Sequence, residues 1–253
     1  MEKEDLDFFH EFNLETDAVI VNQSHFTGYE QKIVEDSCIE MYSYVEKGVG
    51  RSRNSALLRS NADICLMADD DMRYVSGYKQ IILKAFENNP NADVILFNVA
   101  VEDRFGNVKL PIKSNGRVHF YNSLRYGTVN IAFKRDKIVQ KQIFFSLLFG
   151  GGAKYGSGED TLFLTECLKK GIKIYAHSEI IADIKYRHSS WFEGYTEKYF
   201  VDKGALFAAI SPKMSYLIAA QFLFRKKSIV ENLGRKKVWG LLCQGIKEFS
   251  KGN

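Results

Sequence analysis

A short apolar run, Ile64-Cys65-Leu66-Met67-Ala68, passes directly into three consecutive aspartates, Asp69, Asp70 and Asp71. Bounded by polar residues, a run of this length reads as a buried parallel strand. Three adjacent carboxylates repel one another and are costly to bury unpaired, so they belong where the strand emerges. In open α/β sheets that carboxyl end is where ligands bind. A hydrated divalent cation carrying a diphosphate relieves the repulsion, because Mg²⁺ or Mn²⁺ takes a few carboxylates together with phosphate oxygens. The triplet therefore suggests a nucleotide-diphosphate site. Side chains alternate along an extended segment, which puts Asp69 and Asp71 on one side and Asp70 on another. Asp71 is the expected principal metal ligand and Asp69 its support on metal or nucleotide, and a solvated acidic turn is the bland alternative.

Strand and helix signals alternate around this element. Residues 6–13 look helical, residues 17–21 read as a buried strand ending in Asn22-Gln23-Ser24, and residues 39–45 alternate apolar and polar as a half-buried strand does. A helix follows Gly48 and Gly50, then come the aspartate strand, a helix over 75–87, a strand over 93–100, a hairpin turn around Gly106 and a strand over 130–134. A glycine-rich loop over 150–158 opens a helix ending near Gly171, a strand follows over 172–175, and residues 194–224 and 234–249 are helical. This order predicts an α/β fold of the Rossmann-like three-layer α/β/α kind, with a mostly parallel mixed sheet. The expected division is a main domain over 1–210 and a basic, amphipathic helical C-terminal extension over 211–253. With 253 residues, 45% hydrophobic and 26% charged, the chain has the size and composition to bury a core of that kind.

Three other constellations carry chemistry. Gly48-Val49-Gly50-Arg51-Ser52-Arg53-Asn54 is half of a dinucleotide fingerprint, lacking the third glycine. Its informative part is the pair Arg51 and Arg53, where guanidinium forks meet the free N–H groups of a helix start and both suit anions. A glycine turn with a solvated basic helix start is the alternative. Gly156-Ser157-Gly158-Glu159-Asp160-Thr161 delivers two carboxylates to a helix start, either for capping and the helix dipole or to present a general base to a hydroxyl. His188 follows the last expected strand and is a candidate on metal or diphosphate, while Trp191 and Phe192 are candidates for an acceptor cleft.

Cys38, Cys65, Cys167 and Cys243 lie far apart without a CxxC pair and read as reduced core residues, pointing to the cytoplasm. Residues 1–10 are acidic and unlike a signal peptide, and no apolar run approaches the roughly 18 to 20 residues that span a bilayer. Beyond Lys213 basic residues far outnumber the two acids, Glu231 and Glu248. Residues 213–251 are therefore read either as helices covering the sheet or as a basic amphipathic pair on the anionic inner face of the cell membrane. Nucleic-acid binding is not expected, since no binding motif accompanies the charge.

In their order and spacing these pieces resemble the family 2 glycosyltransferases of GT-A fold, over about residues 17–204. The resemblance rests on 48–54, on the strand leading to Asp69-Asp70-Asp71, and on Phe149-Gly150-Gly151-Gly152-Ala153 leading to Gly158-Glu159-Asp160-Thr161. It implies that Asp69 and Asp71 hold the nucleotide and the metal bridging its diphosphate, that Arg53 and Asn54 lie beside the nucleotide, and that Asp160, in preference to Glu159, is the base. The implied activity is metal-dependent, inverting transfer of a sugar from a UDP- or GDP-sugar to a hydroxyl on a glycan or lipid-linked acceptor, in surface polysaccharide or related glycan synthesis. The sequence departs from the family's pattern in two places. Residues 1–10 offer no apolar first strand, and Asn22-Gln23-Ser24 stands where an acidic pair is usual, so ribose or base recognition differs. A catalytically silent glycosyltransferase-like scaffold and a sugar nucleotidyltransferase are the other readings, and the oligomeric state is left open.

Overall fold

The computed structural model describes residues 4–102, 105–123, 126, 130–184, 194–231 and 233–252. The chain divides into two compact units, one of residues 1–47, 51–145 and 163–188, the other of 48–50, 146–162 and 189–253.

The first unit begins with a 3₁₀ helix (Asp7–Phe12) and strands β1 (Ala18–Gln23), β2 (Gly28–Val34) and β3 (Ser37–Tyr44). These strands make a separate three-stranded sheet of order β1-β3-β2, with β1 parallel and β2 antiparallel to β3. Alternation along β3 turns Ile39 and Met41 inward against Leu6 and Phe9 of the 3₁₀ helix. The β1 segment is half-buried along most of its length, where a fully buried strand was expected, because it belongs to this small sheet. Strand β2 escaped the sequence reading because its exposed Tyr29 and Ile33 leave no clean apolar face.

Helix α1 (Val49–Arg59), strands β4 (Ile64–Leu66) and β5 (Met72–Tyr74), helix α2 (Tyr78–Asn88) and strand β6 (Val94–Glu102) come next. They are followed by β7 (Val108–Lys109), β8 (Gly116–Arg117), α3 (Phe120–Ser123), β9 (Ile131–Lys134), α4 (Arg135–Gln140), α5 (Glu159–Lys169) and β10 (Ile174–Ile184). The second sheet has seven strands in the order β4-β9-β6-β10-β5, with β7 on β6 and β8 on β10. It is mixed: β4, β6 and β10 run one way and β9 and β5 the other. The β6–β7 pairing closes the hairpin expected around Gly106.

Two expectations about these strands are corrected. The run before the aspartates is a half-buried edge strand paired antiparallel to β9, not a buried parallel one, because it stands at the end of the sheet path. Strand β10 runs far past residue 175. Its register shifts between Ala176 and Ala182 break the alternation that a sequence pattern needs.

Burial explains why this sheet takes helices on both sides. Residues 94–99 of β6 are all buried, and alternate positions enter different cores. Val94 and Leu96 join Leu57 of α1 and Phe163, Leu164 and Cys167 of α5. Ile95, Phe97 and Val99 join Tyr78, Ile82, Ala85 and Phe86 of α2. The three layers expected from the strand and helix order are thus present within this unit. Of the four free cysteines only Cys167 is buried, the others being half-buried, so the core reading holds for it alone.

The second unit is built from α6 (Glu197–Ile210), α7 (Ser215–Arg225), α8 (Lys227–Glu231) and α9 (Arg235–Lys251). The helical stretch expected over 194–224 is divided, because Pro212 cannot continue α6. Thr196 caps α6 by accepting a hydrogen bond from the Tyr199 N–H. Helices α6 and α9 cross at Gly204 and Gly245. A Cβ on Gly204 would stand 2.1 Å from the Leu242 carbonyl oxygen, and one on Gly245 would stand 1.9 Å from that of Val201. Among the described residues no helix is long and apolar enough to cross a membrane.

The crossing makes a direct prediction. Gly245→Ala should lower stability by about 1–3 kcal/mol through overpacking, despite alanine's better helix propensity. Gly240→Ala, whose Cβ would meet nothing within 4 Å, should instead raise stability by up to about 1 kcal/mol. Thermal melting of the two variants beside the parent checks the opposite signs.

Candidate functional site

In the first unit, the aspartates occupy the connection from β4 to β5. These strands stand at opposite ends of the sheet path, so residues 67–71 carry the chain across the end of the sheet. The Met67 N–H still donates to the Ile131 carbonyl at 3.0 Å, after which the backbone leaves the ladder. Asp70 is exposed, whereas Asp69 and Asp71 are half-buried, and Asp70 and Asp71 lie in a turn rather than an extended segment.

Asp69 is held by α1. Its Oδ1 accepts a hydrogen bond from Arg53 Nη2 at 2.8 Å, with the arginine side chain 9% exposed and the aspartate 39%. The Arg53 guanidinium carbon lies 5.5 Å from the centroid of the Phe145 ring, which gives the buried cation a polarisable face. Asn54, one residue on, exchanges two hydrogen bonds with the backbone of Phe145, donating to its carbonyl at 2.9 Å and accepting from its N–H at 2.8 Å. Ser52 Oγ accepts from Gln23 Nε2 at 3.0 Å, so the polar group that ends β1 also engages this helix start. Arg51 instead faces Glu46 at 3.7 Å and is 56% exposed. The two arginines singled out by the sequence therefore separate: Arg53 orders an aspartate of the triplet, and Arg51 pairs with the loop ahead of the helix.

In the second unit, the glycine loop is folded on itself before α5. The Gly150 N–H donates to the Tyr155 carbonyl at 2.9 Å, the Tyr155 N–H donates to that of Leu148 at 3.0 Å, and the rings of Phe149 and Tyr155 stack at 4.7 Å. Two glycines here cannot be replaced cheaply. Gly150 has φ +109° and a Cβ there would lie 2.9 Å from Val49 Cγ1, while Gly158 has φ +115° and a Cβ there would lie 2.7 Å from the Leu206 methyl groups. Backbone and neighbours thus direct the chain sharply into α5. In its first turn Glu159 Oε2 accepts from the Gly158 N–H at 3.0 Å and Asp160 Oδ1 accepts from the Thr161 N–H at 2.6 Å.

Helix α6 adds two charged residues that sequence reading missed. Buried Asp202 accepts from the Gly156 N–H at 2.9 Å and from Lys198 at 2.6 Å. Lys203, the next residue, reaches Ser157 Oγ at 3.3 Å. The available signal was an Asp-Lys pair inside an otherwise apolar segment, Phe200 to Ile210, where charges are rarely kept without partners.

The Arg53–Asp69 cluster belongs to the first unit and the Glu159–Asp160 pair to the second. His188, Trp191 and Phe192 lie outside the described residues. Among the described residues no three His, Cys, Asp or Glu side chains are grouped as a metal cage.

No protein-family model matches the chain, and no curated protein matches it in sequence. Solved structures do match. S. aureus TarS 1–349 in complex with UDP-GlcNAc aligns with a TM-score of 0.54 at 17% identity, over 78% of this chain and 58% of that one. Its complex with UDP gives 0.53 at 17% identity, over 75% and 55%. A further crystal structure of S. aureus TarS gives 0.53 at 17% identity, over 73% and 32%. The chain spans a little over half the length of the TarS 1–349 structures it matches. The likeness establishes a GT-A-like glycosyltransferase fold.

The ion pair yields a prediction about stability. Asp69→Ala strips the buried guanidinium of a carboxylate partner and should cost about 1–3 kcal/mol. Asp70→Ala, at an exposed position, should stay within about 0.5 kcal/mol of the parent. Denaturant unfolding of both variants measures the difference.

Proposed function

We propose that the chain acts as an inverting glycosyltransferase, moving a sugar from a UDP- or GDP-sugar to a hydroxyl of a glycan or lipid-linked acceptor in surface polysaccharide or related glycan synthesis. The observation that carries this reading is a GT-A-like fold in which the strand β4 runs into an acidic connection whose first aspartate is held by Arg53. The donor class is suggested by TarS, two of whose structures are complexes with UDP-GlcNAc and with UDP.

The chemistry of the residues fits the parts of such a reaction. Asp71, with Asp69 beside it, would hold Mg²⁺ or Mn²⁺, a hydrated ion that takes few protein carboxylates and neutralises the departing diphosphate. Arg53 keeps Asp69 oriented, and Arg51, more exposed, is available to phosphate oxygens. Asp160 takes the acceptor hydroxyl proton as the acceptor oxygen bonds to the anomeric carbon. The bond from that carbon to the diphosphate breaks on the opposite face, and its electron pair leaves with the phosphate oxygen. Glu159, bonded to the loop backbone, supports the turn that presents Asp160.

A membrane contact belongs to the same reading. Met214, which precedes α7, and Leu217 and Phe224 on it are exposed on one face, the last two 64% and 70% exposed. Lys213 stands at one end, and Arg225, Lys226 and Lys227 stand at the other. An apolar stripe between basic ends suits the anionic cytoplasmic face of a cell membrane, where a lipid-linked acceptor would be met.

Three experiments test these assignments. Titration calorimetry with UDP and GDP should find binding of one nucleotide that requires Mn²⁺ and is lost in Asp71→Ala. Asp160→Asn should retain that binding yet lose about 10²- to 10⁴-fold in transfer rate. Absence of nucleotide binding with and without metal would instead favour the silent scaffold. Co-sedimentation should find the protein on vesicles containing phosphatidylglycerol but not on pure phosphatidylcholine, with binding abolished by the double substitution Leu217→Glu and Phe224→Glu.

A further inference from the structure

Lys203 is a half-buried lysine on a helix that is apolar along most of its length. Its Nζ reaches Ser157 Oγ at 3.3 Å, in the loop just ahead of Glu159 and Asp160, and stands 5.4 Å from the centre of the Tyr199 ring. The neighbouring Asp202 is engaged elsewhere, by Lys198 and the Gly156 N–H. Burial draws the Lys203 pKa below the ordinary lysine value. It is opposed by the negative charges of Asp160, Glu159 and Asp202, in that order, and reinforced by the like charge of Lys226. A cation kept in so apolar a place needs compensating charge, and the first turn of α5 contributes to it.

We propose that Lys203 is the positioning residue of the acidic pair, its ammonium holding the Ser157 loop just ahead of α5 and favouring the ionised, receptive form of Asp160. This inference rests on the assignment of Asp160 as the base. Two neighbours on α6 support the same role. Asp202 secures the loop at Gly156 and Leu206 abuts Gly158, so three residues of one helix touch three successive residues before the pair. Lys203 is the one of the three whose charge opposes protonation of Asp160. Once Asp160 has taken the acceptor proton, that same charge favours its release before the next turnover.

The test compares Lys203→Gln and Lys203→Met, which remove the charge, with Lys203→Arg, which keeps it. Loss of the cation should move the acidic limb of the kcat/KM profile to higher pH by about one unit. The donor KM should change by less than about twofold, and the arginine variant should retain the parental limb. A ¹³C-carboxyl NMR titration of Asp160 reads the same coupling without any turnover, and its midpoint should rise in the glutamine and methionine variants alike. An Asp160 midpoint unchanged in both variants, or an activity loss equal at every pH, would overturn the proposal. If the midpoint moves but Asp160→Asn still transfers sugar, the coupling stands and the base assignment falls.

Discussion

Strand β6 has no face left for water. Six successive residues, 94–99, are buried, and because side chains alternate along a strand, Val94 and Leu96 enter one core and Ile95, Phe97 and Val99 the other. A sheet with such a centre must be covered on both sides. That requirement brings α1 and α5 to one face and α2 to the other. It also leaves only the strand ends and the connections between strands for polar and charged groups. The acidic connection from β4 to β5 is one of these permitted places, and the chemistry proposed for it follows from where the core is absent.

Charge close to the core is handled by pairing. Arg53 is nearly buried, a costly place for a guanidinium, and it is offset by a charge-assisted hydrogen bond to Asp69 and by the Phe145 ring. The partial exposure of Asp69 matters, because it allows one carboxylate to satisfy a buried cation while remaining beside solvent. Asn54 stabilises the same region by satisfying both backbone groups of Phe145. An ordered carboxylate next to a half-buried one suits a hydrated divalent ion, which binds few protein groups and holds them loosely.

The second unit relies on close backbone approach. Gly204 and Gly245 bring two helices together at a distance no side chain tolerates, and Gly158 makes room for Leu206 at the entrance to α5. Small residues at those points keep α6 beside the loop whose end carries Glu159 and Asp160. The proposed role of Lys203 depends on this geometry, since a lysine on a more distant helix would sit in water and influence neither carboxylate.

Much of this was legible in the chain. Alternation gave β3, the apolar run 93–100 gave β6, and the acidic start of α5 gave both its position and a candidate base. What local pattern could not reveal was pairing. Three apolar residues before Asp69 look alike whether they form a parallel interior strand or an antiparallel edge strand, and only the neighbours of β4 decide. Strand β10 lost its alternation to shifts in register, and β2 presents too little apolar surface to be seen. Among charged residues, the sequence by itself determined which are candidates for chemistry: Asp69, Asp71, Arg53, Glu159 and Asp160 stand beside glycines or strand ends where carboxylates and guanidinium groups are useful. Only the tertiary structure decided their partners, giving Arg53 to Asp69, Arg51 to Glu46 and Lys203 to Ser157. Partnership is set by distance in space, and residues 16 or more positions apart in the chain, such as Arg53 and Asp69, carry no mark of it in one dimension.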